Sequence, residues 1–397
     1  MDGRIMRKIA MIVENYYPSM SGVPVVMQYL SEGLAQNGYQ VDVLTCGYHQ
    51  GEKLEKVELH NGVSIYRYYI RQSPQYQVIG EQSEIQAFIN KARSEQYECA
   101  IITCAQCWTT NILLPILDQI KAKKVFYTHG YSGLSFSIEW EKGLKTFAGS
   151  IYRYLWMKAY YARLPQYLGK FDAVVFISEN DSAKDFNEKH GFRHGVVIDN
   201  AVEDRFFEPD YVRDPNKKYI LNVSNYTYVK NQEQLMESFY QADTADYSLI
   251  LIGSVETPYA QRLYKLRNEF EVQYGPKNVH ILHGVPRNQI NEYVRDASIF
   301  IMSSTWEQYS IALCEAMAEG VPFISTNVGN AACLPGGIIA DSVSDMANAI
   351  SDLLAHPIKA KALGKAGNAF AKQHNKREVA IRSLINLIEQ LMTKDEA

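Results

Sequence analysis

Glu307 and Glu315 stand eight positions apart in the stretch WEQYSIALCEAMAEGVP, residues 306–322, between the apolar runs IFIMSS and PFISTN. Glu315 has Leu313, Cys314, Ala316, Met317 and Ala318 as neighbours, so a helix here carries it among apolar groups, where a carboxylate needs partners. Glu307 precedes that helix and reads equally well as an exposed loop acid. Were the whole segment helical, the two would be separated by a rise of about 12 Å. That distance suits two carboxylates, each accepting hydrogen bonds from a sugar on one side of a diphosphate, better than a pair sharing one proton.

Tyr309, Ser310 and Ile311 open the same helix, and their N–H groups are expected to cap an oxyanion. Lys230, in NYTYVKNQEQLMESF, sits at or just before another helix start. A cation there opposes the helix dipole by about 0.3–1 kcal/mol, which a bound anion would explain; a solvated lysine is the plainer alternative. Gly22 lies ahead of a helix that follows the first apolar run, where backbone can approach a phosphate, although a simple turn glycine reads as well.

Positioning such groups takes strands that end at one rim. The first half carries KIAMIVE, QVDVLTC, VSIYRYYI, ECAIITC, KVFYTH, AVVFIS and GVVIDN; the second carries YILNVS, SLILIG, VHILHG, IFIMSS and PFISTN. Helix-length segments separate most of them. Near-continuous apolar strands alternating with helices predict an α/β protein with two doubly wound parallel sheets, whose ligands bind beyond the strand carboxyl ends. A polar, proline-bearing stretch, EPDYVRDPNKK, marks a linker at 208–218. The expected domains are therefore 1–207 and 219–375, followed by an amphipathic helix in 376–397 that packs back toward the first domain.

Composition narrows the function classes. The chain has 397 residues, beyond the size at which one core stops growing, and a net charge of −4, which gives nucleic acid no general attraction. No run approaches the ~18 apolar residues of a membrane span, and the N-terminal stretch lacks the form of a secretory signal, so a cytoplasmic protein is expected. Cys99, Cys104 and Cys107 space as C-x4-C-x2-C, but ECAIITC reads as a strand placing the first two on opposite faces, without a fourth ligand nearby.

The stretch EQYSIALCEAMAEGVP resembles the E-x7-E signature of the GT4 family of retaining glycosyltransferases with the GT-B fold, two Rossmann-like domains facing across a cleft. NYYPSMSGVPVVMQYLSEGLAQNGYQVDVLT, THG, VVIDNAVEDRFF, ILHGVPRNQINEYVRDASIFIMSSTWE and GVPFISTNVG extend the likeness along nearly the whole chain. The resemblance implies transfer of a sugar, with retention, from a nucleotide-sugar donor, commonly UDP-linked, to a glycan, glycolipid or other hydroxyl acceptor. It implies no cofactor and no required metal. Carried over residue by residue, Glu307 contacts the donor sugar, Glu315 the ribose, Lys230 the diphosphate, Gly22 a phosphate from the first domain, and Val285 lies beside the base. His129 of THG would stand near the reaction centre; a strand-end capping role is its plainer reading.

Two departures matter. Asn225 stands where the family usually has an arginine, removing a bidentate phosphate donor for which Arg287 is a candidate substitute. The family's E-G-F-G-L is here Glu307-Gln308-Tyr309-Ser310-Ile311, which is expected to narrow the space near the donor sugar. Residues 142–171 carry six cations and no acid among eight aromatics, a pattern fitting peripheral contact with an anionic membrane or a lipid-linked acceptor, or a helix packed through its aromatics. Two rival functions stay open: a GT-B nucleotide-sugar epimerase or hydrolase, and a non-catalytic sugar-nucleotide-binding partner.

Overall fold

A computed structural model describes residues 7–19, 22–134, 144–192, 194–208, 214 and 216–393, with backbone only at 144–148. Residues 1–199 and 380–397 cluster as one unit and residues 200–379 as a second. The division falls at Asp199, ahead of the boundary at 207 read from the sequence. Its physical cause is local: Asn200 accepts a hydrogen bond from Asn375 (2.9 Å) and Glu203 pairs with Arg287 (2.9 Å), which ties 200–207 to the second unit. Most of the linker expected at 208–218 lies outside the described residues.

The first unit is built on strands β1 (Lys8–Ile12), β2 (Gln40–Cys46), β3 (Val57–His60), β4 (Val63–Tyr68), β5 (Cys99–Thr103), β6 (Lys123–Tyr127), β7 (Ala173–Phe176) and β8 (Gly195–Val197). They form one sheet in the order β8-β7-β6-β5-β1-β2-β4-β3, parallel except for the β3–β4 hairpin. Strand β5 is buried at every residue, as a sheet covered on both faces requires. It ends at Thr103, one residue short of the sequence reading: Cys104 has φ 63°, a left-handed conformation that closes the strand, so it shares no strand with Cys99.

Helix α1 (Gly22–Gln36) follows β1, and α2 (Leu144–Arg163) lies between β6 and β7. In α2 the apolar and aromatic side chains divide. Met157 and Tyr161 are buried, and Trp156 stacks on Tyr76 at 3.9 Å, while Tyr152 and Leu155 stay exposed. Lys142 and the side chains of Lys145 and Phe147 lie outside the described residues. Ile381 packs on α1, where a Cβ at Gly33 would come within 2.4 Å of its side chain, so the glycine permits a close approach.

The second unit has strands β9 (Tyr219–Val223), β10 (Ser248–Gly253), β11 (Val279–His283), β12 (Ile299–Met302), β13 (Phe323–Ser325) and β14 (Gly337–Ile339). All pair in parallel, in the order β11-β10-β9-β12-β13-β14. Helices α3 (Gln232–Gln241), α4 (Pro258–Tyr274), α5 (Arg287–Asp296), α6 (Ile311–Ala318), α7 (Val343–Ala355), α8 (Pro357–His374) and α9 (Arg377–Thr393) accompany these strands, with α9 passing into the first unit at Ala380. The core between sheet and helices includes Leu235, Phe239, Leu251, Leu263, Ile301 and Ile350.

Candidate functional site

Strands β9 and β12 are neighbours in space although two strands intervene in sequence, and at that place the strand order reverses. Loops leaving the carboxyl ends of such a pair diverge to opposite faces of the sheet and leave a crevice between them. The loop after β9 is anchored by Tyr226, whose buried hydroxyl reaches the carbonyls of Leu251 (2.9 Å) and Leu282 (2.6 Å). Gly253 makes room for that ring, since a Cβ there would lie 2.5 Å from it. A short turn, Tyr228–Lys230, then precedes α3, with Asn231 at φ 47° between them, a conformation asparagine accepts more readily than most residues.

This loop is fastened to the one after β12. Thr305 N–H donates to Val229 O (2.8 Å), and Ser303 Oγ donates to Lys230 O (3.0 Å). The fastening brings Lys230 Nζ to 2.5 Å from Glu307 Oε1, which also accepts from Ser304 Oγ (2.7 Å). Gly329 lies against Glu307, where a Cβ would meet Glu307 Cβ at 3.2 Å. The two charged groups that the sequence singled out separately thus form one pair, with two of the ammonium protons and one carboxylate oxygen left for a ligand.

Glu315 lies in α6 and is buried. Burial raises its carboxyl above the usual range against the opposing pull of Arg287, whose guanidinium bonds both of its oxygens. Arg287 also donates to Glu203 (2.9 Å) and lies over the Phe206 ring at 5.5 Å. Arg287 is therefore the partner of Glu315, and the phosphate-gripping substitution suggested for it is not what this geometry displays. Asn225 is exposed, with its Oδ1 accepting from Ser254 Oγ (2.7 Å) beyond the ends of β9 and β10. Val285 is half-buried in the loop between β11 and α5, beside Gly284 at φ 69°.

The piece between the glutamates differs from expectation. Ser310 is the N-cap of α6: its Oγ accepts from Leu313 N–H (3.3 Å), and its own N–H is taken by Asn330 Oδ1 (2.9 Å). The backbone donors at the start of α6 are consequently Ile311 and Ala312 rather than Tyr309 and Ser310. Tyr309 is buried, its hydroxyl accepting from Asn375 Nδ2 (2.9 Å), so the ring packs inside the unit. Gln308, half-buried, precedes it. Ser304, Gly329, Asn330 and Glu203 escaped the sequence reading; a serine three positions before Glu307 is the only local signal among them.

In the first unit Gly22 begins α1 at φ 44° with open space where a Cβ would be. His129 follows β6 at φ 51°, stacked on Tyr127 with ring centroids 4.7 Å apart. Its Nε2 is shielded from solvent and has no hydrogen-bond partner among the described residues. Burial pushes the imidazole down to about 3, so it is neutral at any working pH. The unfolded chain takes up that proton near 6.5. The stability due to neutral His129 is therefore complete above that pH and drains away as pH falls toward 3. Thermal midpoints at neutral pH and at pH about 4.5 should accordingly differ less in His129→Gln than in the unchanged protein.

Two family profiles match this chain in succession: Glycosyltransferase Family 4 over residues 20–206 and Glycosyl transferases group 1 over residues 203–370. The chain belongs to the group 1 glycosyltransferases of family 4. An uncharacterized glycosyltransferase of Methanocaldococcus jannaschii is 24% identical to it over 341 residues, covering 81% of each chain. One component of the phosphatidylinositol N-acetylglucosaminyltransferase of Arabidopsis thaliana is 23% identical, over 81% of this glycosyltransferase and 68% of the plant protein. Among solved structures, sucrose-phosphate synthase of Thermosynechococcus elongatus superposes with TM-score 0.73 at 18% identity, over 98% of this chain and 100% of that one. Anabaena HepE in complex with UDP and glucose gives 0.68 at 14% identity, over 97% and 100%. At these identities the structures establish the shared GT-B fold of two Rossmann-like domains and nothing finer. No helix among the described residues of this glycosyltransferase is long and apolar enough to cross a membrane.

Proposed function

We propose that this glycosyltransferase moves a sugar from a UDP-linked donor to a hydroxyl acceptor with retention at the anomeric carbon. The observation that carries the reading is the Lys230–Glu307 pair at the strand-order reversal of the second unit, with Arg287–Glu315 at the far end of the same motif. The UDP assignment is supported by two structural neighbours: HepE, which was solved with UDP, and the Burkholderia xenovorans trehalose-phosphate synthase, which is UDP-forming.

In this reading Glu307 accepts hydrogen bonds from the donor sugar and Glu315 from the ribose, while Val285 lies beside the base. Lys230, Asn225 and the N–H groups opening α6 meet the diphosphate, and Gly22 supplies a further phosphate contact. As the bond from the anomeric carbon to the diphosphate breaks, negative charge grows on the leaving oxygen and the sugar gains oxocarbenium character. Lys230 is a preorganised positive charge aimed at that oxygen. The acceptor oxygen bonds the anomeric carbon on the same face, and its proton passes to the departing phosphate oxygen. His129, neutral, can accept or donate one hydrogen bond to the transferred sugar but is not a charged catalyst. The acceptor is a glycan, glycolipid or other hydroxyl compound, and the exposed cations Arg153, Lys158 and Arg163 of α2 are a candidate contact with an anionic lipid surface.

Proton NMR of the first product formed from UDP-sugar and acceptor tests the reaction. Retention of the donor's anomeric configuration is expected, together with product that depends on acceptor. Inversion contradicts the mechanism. Release of free sugar at one rate with and without acceptor points instead to a hydrolase.

A further inference from the structure

The second unit has another cavity, of about 540 Å³, whose lining includes Glu208, Arg295, Glu319, Lys361, Lys365 and Lys372. Helices α5 and α6 start at the carboxyl ends of β11 and β12 and run back toward the amino ends of β12 and β13. Arg295 and Glu319 sit at their far ends, so this cavity opens on the rim opposite Lys230 and Glu307. A donor held at the strand carboxyl ends does not reach it.

The three lysines and Asn368 fall at i, i+4, i+7 and i+11 of α8, one line along a helix face. Lys361 and Lys365 repel each other as an i, i+4 pair of like charge. None of the three has an ion-pair or hydrogen-bond partner among the described residues. The neighbouring face of α8 holds the helix firmly in place. A Cβ at Gly364 would fall 2.1 Å from Gly320 O, and one at Gly367 2.9 Å from Met317. The stripe is thus presented by a helix that cannot back away.

Across the cavity Arg295 is already committed, bonded to Glu319 (3.0 Å) and Glu208 (3.1 Å). Four cations face two acids, leaving an excess of two positive charges. The carbonyl end of α6 would draw a cation, but Asn368 Nδ2 already caps Ala318 O (2.5 Å), and three lysines exceed that need. Glu208 is the exposed acid of the set, 59% accessible, and a carboxylate so placed accepts hydrogen bonds from hydroxyls. The volume falls in the range of small-molecule sites.

We propose that this cavity binds the phosphate monoester of a small polyhydroxylated molecule, a sugar phosphate, with the phosphate held within the line of Lys361, Lys365 and Lys372 by the ammonium groups nearest it and a hydroxyl on Glu208. Titration calorimetry on the full chain tests this, with hexose 6-phosphate, the unphosphorylated hexose and inorganic phosphate as probes. The hexose 6-phosphate is expected to bind, the free hexose not to, and inorganic phosphate to bind several-fold more weakly. The triple variant Lys361→Gln/Lys365→Gln/Lys372→Gln, altered only at exposed side chains, should lose at least about tenfold in affinity, and Lys230→Ala should lose none. Absence of binding, equal affinity for inorganic phosphate, or loss in Lys230→Ala but not in the triple variant would overturn the proposal. None of these results depends on the donor reading.

Discussion

Arg287→Ala should destabilise the second unit by about 2–3 kcal/mol, because it strips a buried carboxylate of a bidentate partner. Glu315 is buried in α6 among Leu313, Cys314, Ala316 and Met317, and Arg287 bonds both of its oxygens. The guanidinium itself is half-exposed, which places the loss at the lower end of what breaking a buried pair costs. Urea denaturation followed by fluorescence measures it. Arg287→Ala/Glu315→Gln should recover most of that stability, since a neutral amide no longer strands a charge, yet it should not recover donor binding. Equal stability of Arg287→Ala and the unchanged protein would mean that water or Glu203's surroundings satisfy Glu315 without the arginine.

Glu307→Gln should lower kcat by about 10²–10³ with little change in thermal midpoint. The side chain keeps its shape and its contact with Ser304, while losing the charge that orients Lys230 and that strengthens its bond to a sugar hydroxyl as the anomeric carbon turns positive. A change confined to KM would assign Glu307 to binding alone. Activity is read as nucleoside diphosphate release in the presence of acceptor.

Much of the frame was legible because its signals are local. Runs such as CAIIT and IFIM are apolar at nearly every position, which only a sheet covered on both faces rewards, and both are buried throughout. Lys230 and Glu315 were legible as anomalies: one a cation near a helix start, the other a carboxylate among apolar neighbours. Their partners were not. Arg287 reaches Glu315 across 28 positions, and Lys230 reaches Glu307 across 77, distances over which no periodicity carries information.

The direction of the Tyr309 side chain was not legible for a related reason. A side chain's direction is decided by what can satisfy it, and Asn375, 66 positions on, holds the Tyr309 hydroxyl inside the unit. Ser310 likewise serves as a helix cap, with Asn330 taking its N–H. Of the two residues that replace the family's glycines, Ser310 is a helix cap and Gln308 is half-buried. Val285 and Asn225 were placed by resemblance, and the structure sets them in loops after strand ends, with no charged partner among the described residues.

The central claim is that Lys230 and Glu315 hold the nucleotide of a UDP-sugar. Titration calorimetry with UDP on the unchanged protein, Lys230→Ala and Glu315→Gln tests it most directly. Binding by the unchanged protein, weakened at least about tenfold in Lys230→Ala by loss of a charge-assisted phosphate contact and measurably in Glu315→Gln, is the predicted result. Undiminished UDP affinity in both variants would contradict it.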